Sequence, residues 1–117
     1  MADHGVAVTW GEAKGGRERK ALELWADAVT TNEKAVANGL IEKWDAVVFE
    51  PAPGGPSGVI RVYGTRDQVN AYIESDDFSN QLMRSQVLLD GVGLRRFVTG
   101  GALMDEFAQY AQLVESL

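Results

Sequence analysis

The chain has 117 residues and a mass of 12.7 kDa, one domain's worth of protein with little room for two. It is 45% hydrophobic and 24% charged, too apolar for intrinsic disorder. Its 17 acidic residues outnumber 11 basic ones, and a net charge of -6 argues against nucleic acid or an anionic membrane as partner, because both are bound through basic patches. With no cysteine there is no disulfide framework, thiolate metal site or thiol nucleophile.

Met1-Ala2-Asp3-His4 places an acid where a secretory signal needs basic residues. No run approaches the ~20 apolar residues that span a bilayer, so a soluble, cytoplasmic protein is expected. Val6-Ala7-Val8-Thr9-Trp10, β-branched and aromatic, predicts a first strand, and Gly11-Glu12-Ala13-Lys14-Gly15-Gly16 breaks it. From about Arg17 to Ala37 the period becomes helical, with Leu22, Trp25, Val29 and Val36 on one side and Asn32 inside that stripe. Asn38-Gly39 supplies a left-handed stop.

Trp44 to Phe49 and Val59 to Tyr63 predict two strands of an antiparallel hairpin, joined by Pro51-Ala52-Pro53-Gly54-Gly55-Pro56-Ser57-Gly58, which holds all three prolines. Thr65-Arg66-Asp67-Gln68 matches a capping box. The helix it starts carries Val69, Tyr72 and Ile73, breaks at a second cap, Ser75-Asp76-Asp77, and resumes through Phe78, Leu82, Met83 and Leu89. After Asp90-Gly91, Val92 to Thr99 is a fourth strand. Gly100-Gly101 leads into a last helix, about 102–117, whose Leu103, Phe107, Tyr110, Val114 and Leu117 step 4, 3, 4, 3.

The order β-α-β-β-α-β predicts an α+β, ferredoxin-like antiparallel sheet over about residues 5–99, plus the C-terminal helix, as one domain spanning 1–117. A sheet with one solvated face alternates apolar and polar residues, and these strands do not. The second strand is apolar on both parities, and Ile60 and Val62 oppose Val59, Arg61 and Tyr63. An open face of that kind needs a cover. A second subunit stacked sheet on sheet is the favoured cover; the C-terminal helix folded back over its own sheet is the alternative.

At this point the pattern resembles the dimeric α/β-barrel superfamily of ferredoxin-like domains. The resemblance is carried by Val8-Thr9-Trp10 running through a glycine turn into a helix, by the hairpin, by Asp76-Asp77-Phe78 restarting the second helix, and by Val92-Gly93-Leu94-Arg95-Arg96-Phe97 as last strand. It implies a homodimer with a pocket between sheet and helices or within the dimer barrel. The superfamily holds cofactor-independent monooxygenases, haem-degrading enzymes, lactone isomerases and members without known activity, so it sets a fold and hardly a function.

Several chemistries lack their residues. Gly11-Glu12-Ala13-Lys14-Gly15-Gly16-Arg17-Glu18 nearly fits a phosphate-binding loop, but Arg17 stands at the lysine position and Glu18 at the hydroxyl position, where a carboxylate repels phosphate. Gly91-Val92-Gly93 lacks the third glycine of a dinucleotide fingerprint. The only histidine, His4, reads as a frayed terminal residue outside any element, which leaves triad catalysis, a histidine zinc site and a haem ligand unsupported. Asp76-Asp77 and Asp105-Glu106 read as acidic helix starts. No metal or cofactor is expected.

Polar groups in apolar settings remain as candidates. Arg61 needs a carboxylate or an anionic ligand; Asn32 offers an amide that orients a ligand; Trp10 and Tyr63 offer aromatic walls. The favoured function is a homodimer binding a small apolar or aromatic molecule beside the sheet through Trp10, Asn32, Arg61 and Tyr63. A cofactor-independent oxygenase or isomerase, with Asn32 and Tyr63 as polar participants, is the alternative. A non-catalytic assembly module using the C-terminal helix is a third.

Overall fold

The computed structural model describes residues 2–117. Its elements run β1 (His4–Trp10), α1 (Glu18–Ala37), β2 (Lys43–Val48), β3 (Gly58–Gly64), α2 (Arg66–Glu74), α3 (Asp76–Leu88), β4 (Gly93–Val98) and α4 (Gly100–Ser116). The strands form one antiparallel sheet in the order β2-β3-β1-β4, the expected ferredoxin-like arrangement. Register places Val6 against Val62 and Val8 against Ile60, and the same two β3 residues oppose Trp44 and Ala46 of β2. With a side-chain period of two, that row of apolar residues lies on one face. The core forms there: Val6 and Val62 pack with Ala35 of α1, Ile41 after it, Val69 and Tyr72 of α2 and Phe78 of α3.

Local chemistry fixes the helix boundaries. Thr65 Oγ1 accepts the Gln68 amide at 3.1 Å and Gln68 Oε1 accepts the Thr65 amide at 2.8 Å, a complete capping box for α2. Ser75 then serves two helices. Its hydroxyl donates to the Tyr72 carbonyl at 2.7 Å, closing α2, and accepts the Phe78 amide at 3.2 Å, opening α3. Gly39, at φ 76, terminates α1 in the left-handed region.

Three expectations need correction. His4 is not frayed: it opens β1, paired with Gly64 and Val98, because the sheet extends one turn of pleat beyond the apolar run. In α1 the buried residues are Leu24, Asn32 and Ala35, whereas Leu22 is 70% exposed. Periodicity selected the Leu22, Trp25, Val29 and Val36 stripe, but the helix is rotated so that Leu24, Asn32 and Ala35 face inward and Leu22 and Trp25 lie towards its exposed side. Asp105-Glu106 is not a helix start, since α4 begins at Gly100 and has no acid in its first turn.

Among the described residues no helix covers the other sheet face. Its row of Gly5, Ala7 and Thr9 is flanked by Tyr63, Arg61 and Val59 on one side and Phe97, Arg95 and Gly93 on the other. Tyr63 and Phe97 meet edge to face over Gly5, with ring centroids 5.2 Å apart, and Lys43 Nζ sits 4.6 Å from the Tyr63 ring centre. A Cβ on Gly5 would run into the Phe97 ring, so the bare position is what lets the two aromatics close. α4 does not fold back over this face. None of its residues is buried, and the molecule's extents of 54 × 38 × 21 Å reflect its projection. The radius of gyration is 16.2 Å, against about 13.4 Å for a compact chain of this length.

Candidate functional site

Between the helix-bearing face and α1 and α3 lies a cavity of ≈ 570 Å³. Its walls come from elements whose seating has just been described. Val8, Trp10 and Ile60 rise from the sheet, Leu24, Trp25 and Ala28 descend from α1, and Phe78, Leu82 and Leu89 close the α3 side. Trp10 leans across Gly58, its register partner, where a Cβ would stand 2.5 Å from Trp10 Cζ2. That lean brings Trp10 to Trp25, ring centroids 6.2 Å apart and tilted 49°. Leu22, Trp25 and Val48 form a partly exposed rim.

The polar content of the interior is small and mostly committed. Ser85 Oγ donates to the Leu82 carbonyl at 2.7 Å, and Gln81 Nε2 donates to Thr31 Oγ1 at 2.6 Å. Tyr72 and Asn32 form the floor: the Tyr72 hydroxyl donates to Asn32 Oδ1 at 2.7 Å, and the two residues are 4% and 1% exposed. Burial pushes the Tyr72 phenol up to about 12, with the Asn32 hydrogen bond a smaller opposing influence, so it stays protonated at neutral pH. It is a hydrogen-bond donor and not a base. Asn32 Nδ2 makes no hydrogen bond to protein among the described residues, and Asn32 lines the cavity. Polarised by the phenol at its other end, that amide is an uncommitted donor at the floor of a largely apolar chamber whose walls also carry the Trp10 and Trp25 indoles.

The four residues marked in the sequence fall on two faces. Trp10 and Asn32 line the cavity. Arg61 and Tyr63 have the opposite parity on β3 and stand on the helix-free face, so they do not join Trp10 and Asn32 in one pocket. Arg61 forms a two-point ion pair with Asp45 across β2 and β3, Nε to Oδ1 2.8 Å and Nη2 to Oδ2 3.0 Å. The Asp45 hydrogen bond, reinforced by the charges of Tyr63 and Asp45, holds the guanidinium above its usual range. Its carboxylate partner is therefore internal. Tyr72 was missed as a site residue because helical spacing marks it as core; the amide of Asn32 within an apolar stripe, 40 residues earlier, was the signal that a polar partner was needed.

Among the described residues no three His, Asp or Glu side chains converge as a metal site requires, and no helix is long and apolar enough to cross a membrane. No family model matches the chain, and no curated protein matches its sequence. Solved structures do match in shape. A dimeric ferredoxin-like protein of unknown function from Thermobifida fusca aligns with a TM-score of 0.65 at 10% identity, covering 82% of this chain and 90% of that one. The fold is ferredoxin-like. A dimeric protein of unknown function with a ferredoxin-like fold, from Bacteroides fragilis, gives 0.62 at 9% identity over 85% of this chain and 98% of its own. A Dabb family protein with a ferredoxin-like fold from Mesorhizobium loti gives 0.63 at 10% identity, over 86% and 100%. At these identities the likeness establishes a ferredoxin-like fold and leaves function to the site.

Proposed function

We propose that this protein binds a small, largely apolar or aromatic molecule carrying one hydrogen-bond acceptor, and works as a homodimer stacked through the helix-free sheet face. The observation that carries the reading is the pairing of a ≈ 570 Å³ largely apolar cavity with an uncommitted amide donor at its buried floor, Asn32 Nδ2. The volume lies within the roughly 300–1,000 Å³ of small-molecule sites, and few polar groups among apolar walls is their usual composition. A ring system would stack against Trp10 and Trp25 while its carbonyl or phenol oxygen accepts from Asn32. The dimer follows from the Tyr63, Phe97, Val59 and Ala7 surface left without a cover, and from the dimeric descriptions of two structural neighbours.

Titration with anthrone and with a naphthoquinol tests the reading, followed by quenching of Trp10 and Trp25 fluorescence. Saturable quenching that needs several-fold more compound in Asn32→Leu supports it; no quenching by any ring compound bearing an acceptor defeats it. Turnover is a second reading, favoured by the protonated Tyr72 behind Asn32, a pair able to stabilise negative charge growing on a bound oxygen. Of the cavity's lining groups only Glu18, exposed at the rim, is a carboxylate. Oxygen uptake with the same compounds separates an enzyme from a binder.

A further inference from the structure

The large apolar side chains left exposed fall mainly into two groups at opposite ends of the protomer. One is the α4 seam, where Phe107 is 62% and Tyr110 65% exposed. The other is the cavity rim, where Leu22 is 70% and Val48 73% exposed. α4 departs beside His4, the partner of Val98, whereas the cavity opens at the Trp10 end of the same strand. An arm leaving one end of a strand cannot reach a mouth at its other end without crossing the sheet. In a two-fold dimer with reversed strands, one copy's arm meets the other copy's mouth, and the contact is made twice.

Charge points the same way. α4 carries Asp105, Glu106 and Glu115 and no basic residue. The loop and first turn beside the rim carry Lys14, Arg17, Arg19 and Lys20 against Glu12 and Glu18, a net positive segment even though Lys20 is paired with Glu23. Lys14 and Arg17 donate to the Gln86 and Val87 carbonyls at the end of α3, and among the described residues neither has a carboxylate partner. Area demands a contribution of this size. Four strands of about six residues, half of them facing one side, offer about twelve residues, whereas a standard interface takes about 20–30 from each partner. Each 17-residue arm helps to make up the difference. Pairing α4 with α4 would set three acids against three, and its seam is only about two heptads long.

We infer that α4 is an exchanged arm: its Phe107–Tyr110 seam docks on the Leu22–Val48 rim of a second copy and closes that copy's cavity, so the binding site is completed in trans. This rests on the cavity being the working site, and it is tested without any ligand. The chain has no cysteine, so single variants Leu22→Cys and Phe107→Cys each carry one thiol at an exposed position. Mixed and treated with a short bis-maleimide, the two variants are expected to give a covalent dimer that neither gives alone. A covalent dimer from Phe107→Cys alone means α4 pairs with α4, and no covalent dimer from the mixture means the arm does not reach the rim; either overturns the inference. As a second measurement, Phe107→Asp is expected to release bound anthrone at least tenfold faster, and an unchanged release rate also counts against the arm. Cross-linking of the mixture without any anthrone binding leaves the arm standing and removes the cavity reading instead.

Discussion

Replacing Asn32 by leucine keeps the volume at the cavity floor and removes both ends of the amide at once. The Tyr72 hydroxyl, 4% exposed and bonded at 2.7 Å to Asn32 Oδ1, then has no acceptor. A buried donor left unpaired costs about 1–3 kcal/mol, so Asn32→Leu is expected to lower the unfolding free energy by that amount in a urea titration. The paired variant Asn32→Leu with Tyr72→Phe removes the orphaned hydroxyl as well. Because apolar replacement of both partners is close to neutral, it recovers most of the loss. Ligand binding follows a different course. Both variants lack the Nδ2 donor, and a net hydrogen bond of about 0.5–1.5 kcal/mol corresponds to roughly two- to twelvefold weaker binding in each. Stability is thus rescued by the second substitution and affinity is not. A double variant as unstable as the single one, or one that binds a ring ketone as tightly as the wild type, refutes the assignment of Asn32 and Tyr72 as a coupled pair with one end turned to the ligand.

The same pair sets an alkaline limit. Because the folded Tyr72 phenol is raised to about 12 from an ordinary 10, its contribution is intact below about pH 10 and lost as pH rises towards 12; Tyr72→Phe is expected to flatten that decline in pH-dependent melting. Ser75→Ala removes the cap of α3 and the tie to α2, lowering stability by about 1 kcal/mol by chemical denaturation, and Ser75→Asp restores most of it by keeping an acceptor for the Phe78 amide. Gly5→Ala puts a methyl group into the Phe97 ring and 2.5 Å from the Val62 carbonyl oxygen. The expected loss is about 1–3 kcal/mol, with the near-ultraviolet circular dichroism of the Tyr63–Phe97 pair disturbed.

Much of the architecture was legible in the sequence because it is written in local chemistry. The β-branched runs, the Thr65–Gln68 box, the Ser75 break and the proline loop each have their physics within a few residues, and all appear where they were expected. The site was legible only in part. Asn32 stood out as an amide within an apolar stripe, and Trp10 as a bulky strand end; both line the cavity. Arg61 and Tyr63 were grouped with them because parity within one strand says which residues share a face and not which face carries the helices. That assignment depends on long-range register. Tyr72 was hidden for a related reason: a buried tyrosine looks like core until its hydroxyl partner, 40 residues away in sequence, is placed. The rotation of α1 was misjudged because Leu22 and Trp25 are large for the sake of the rim.

The sheet order β2-β3-β1-β4 leaves β2 and β4 with one unpaired ladder of backbone groups each. Such borders invite a neighbouring chain to add a strand, the first step towards fibrous aggregation. Here each border is guarded by charge: Lys43 and Asp45 alternate along β2, and Arg95 and Arg96 sit side by side in β4. A strand arriving at β4 from another copy in the same antiparallel register brings arginines against arginines. Lateral growth of the sheet is thereby discouraged at both margins, so a copy that joins this one meets less resistance on the sheet's face than along its edges.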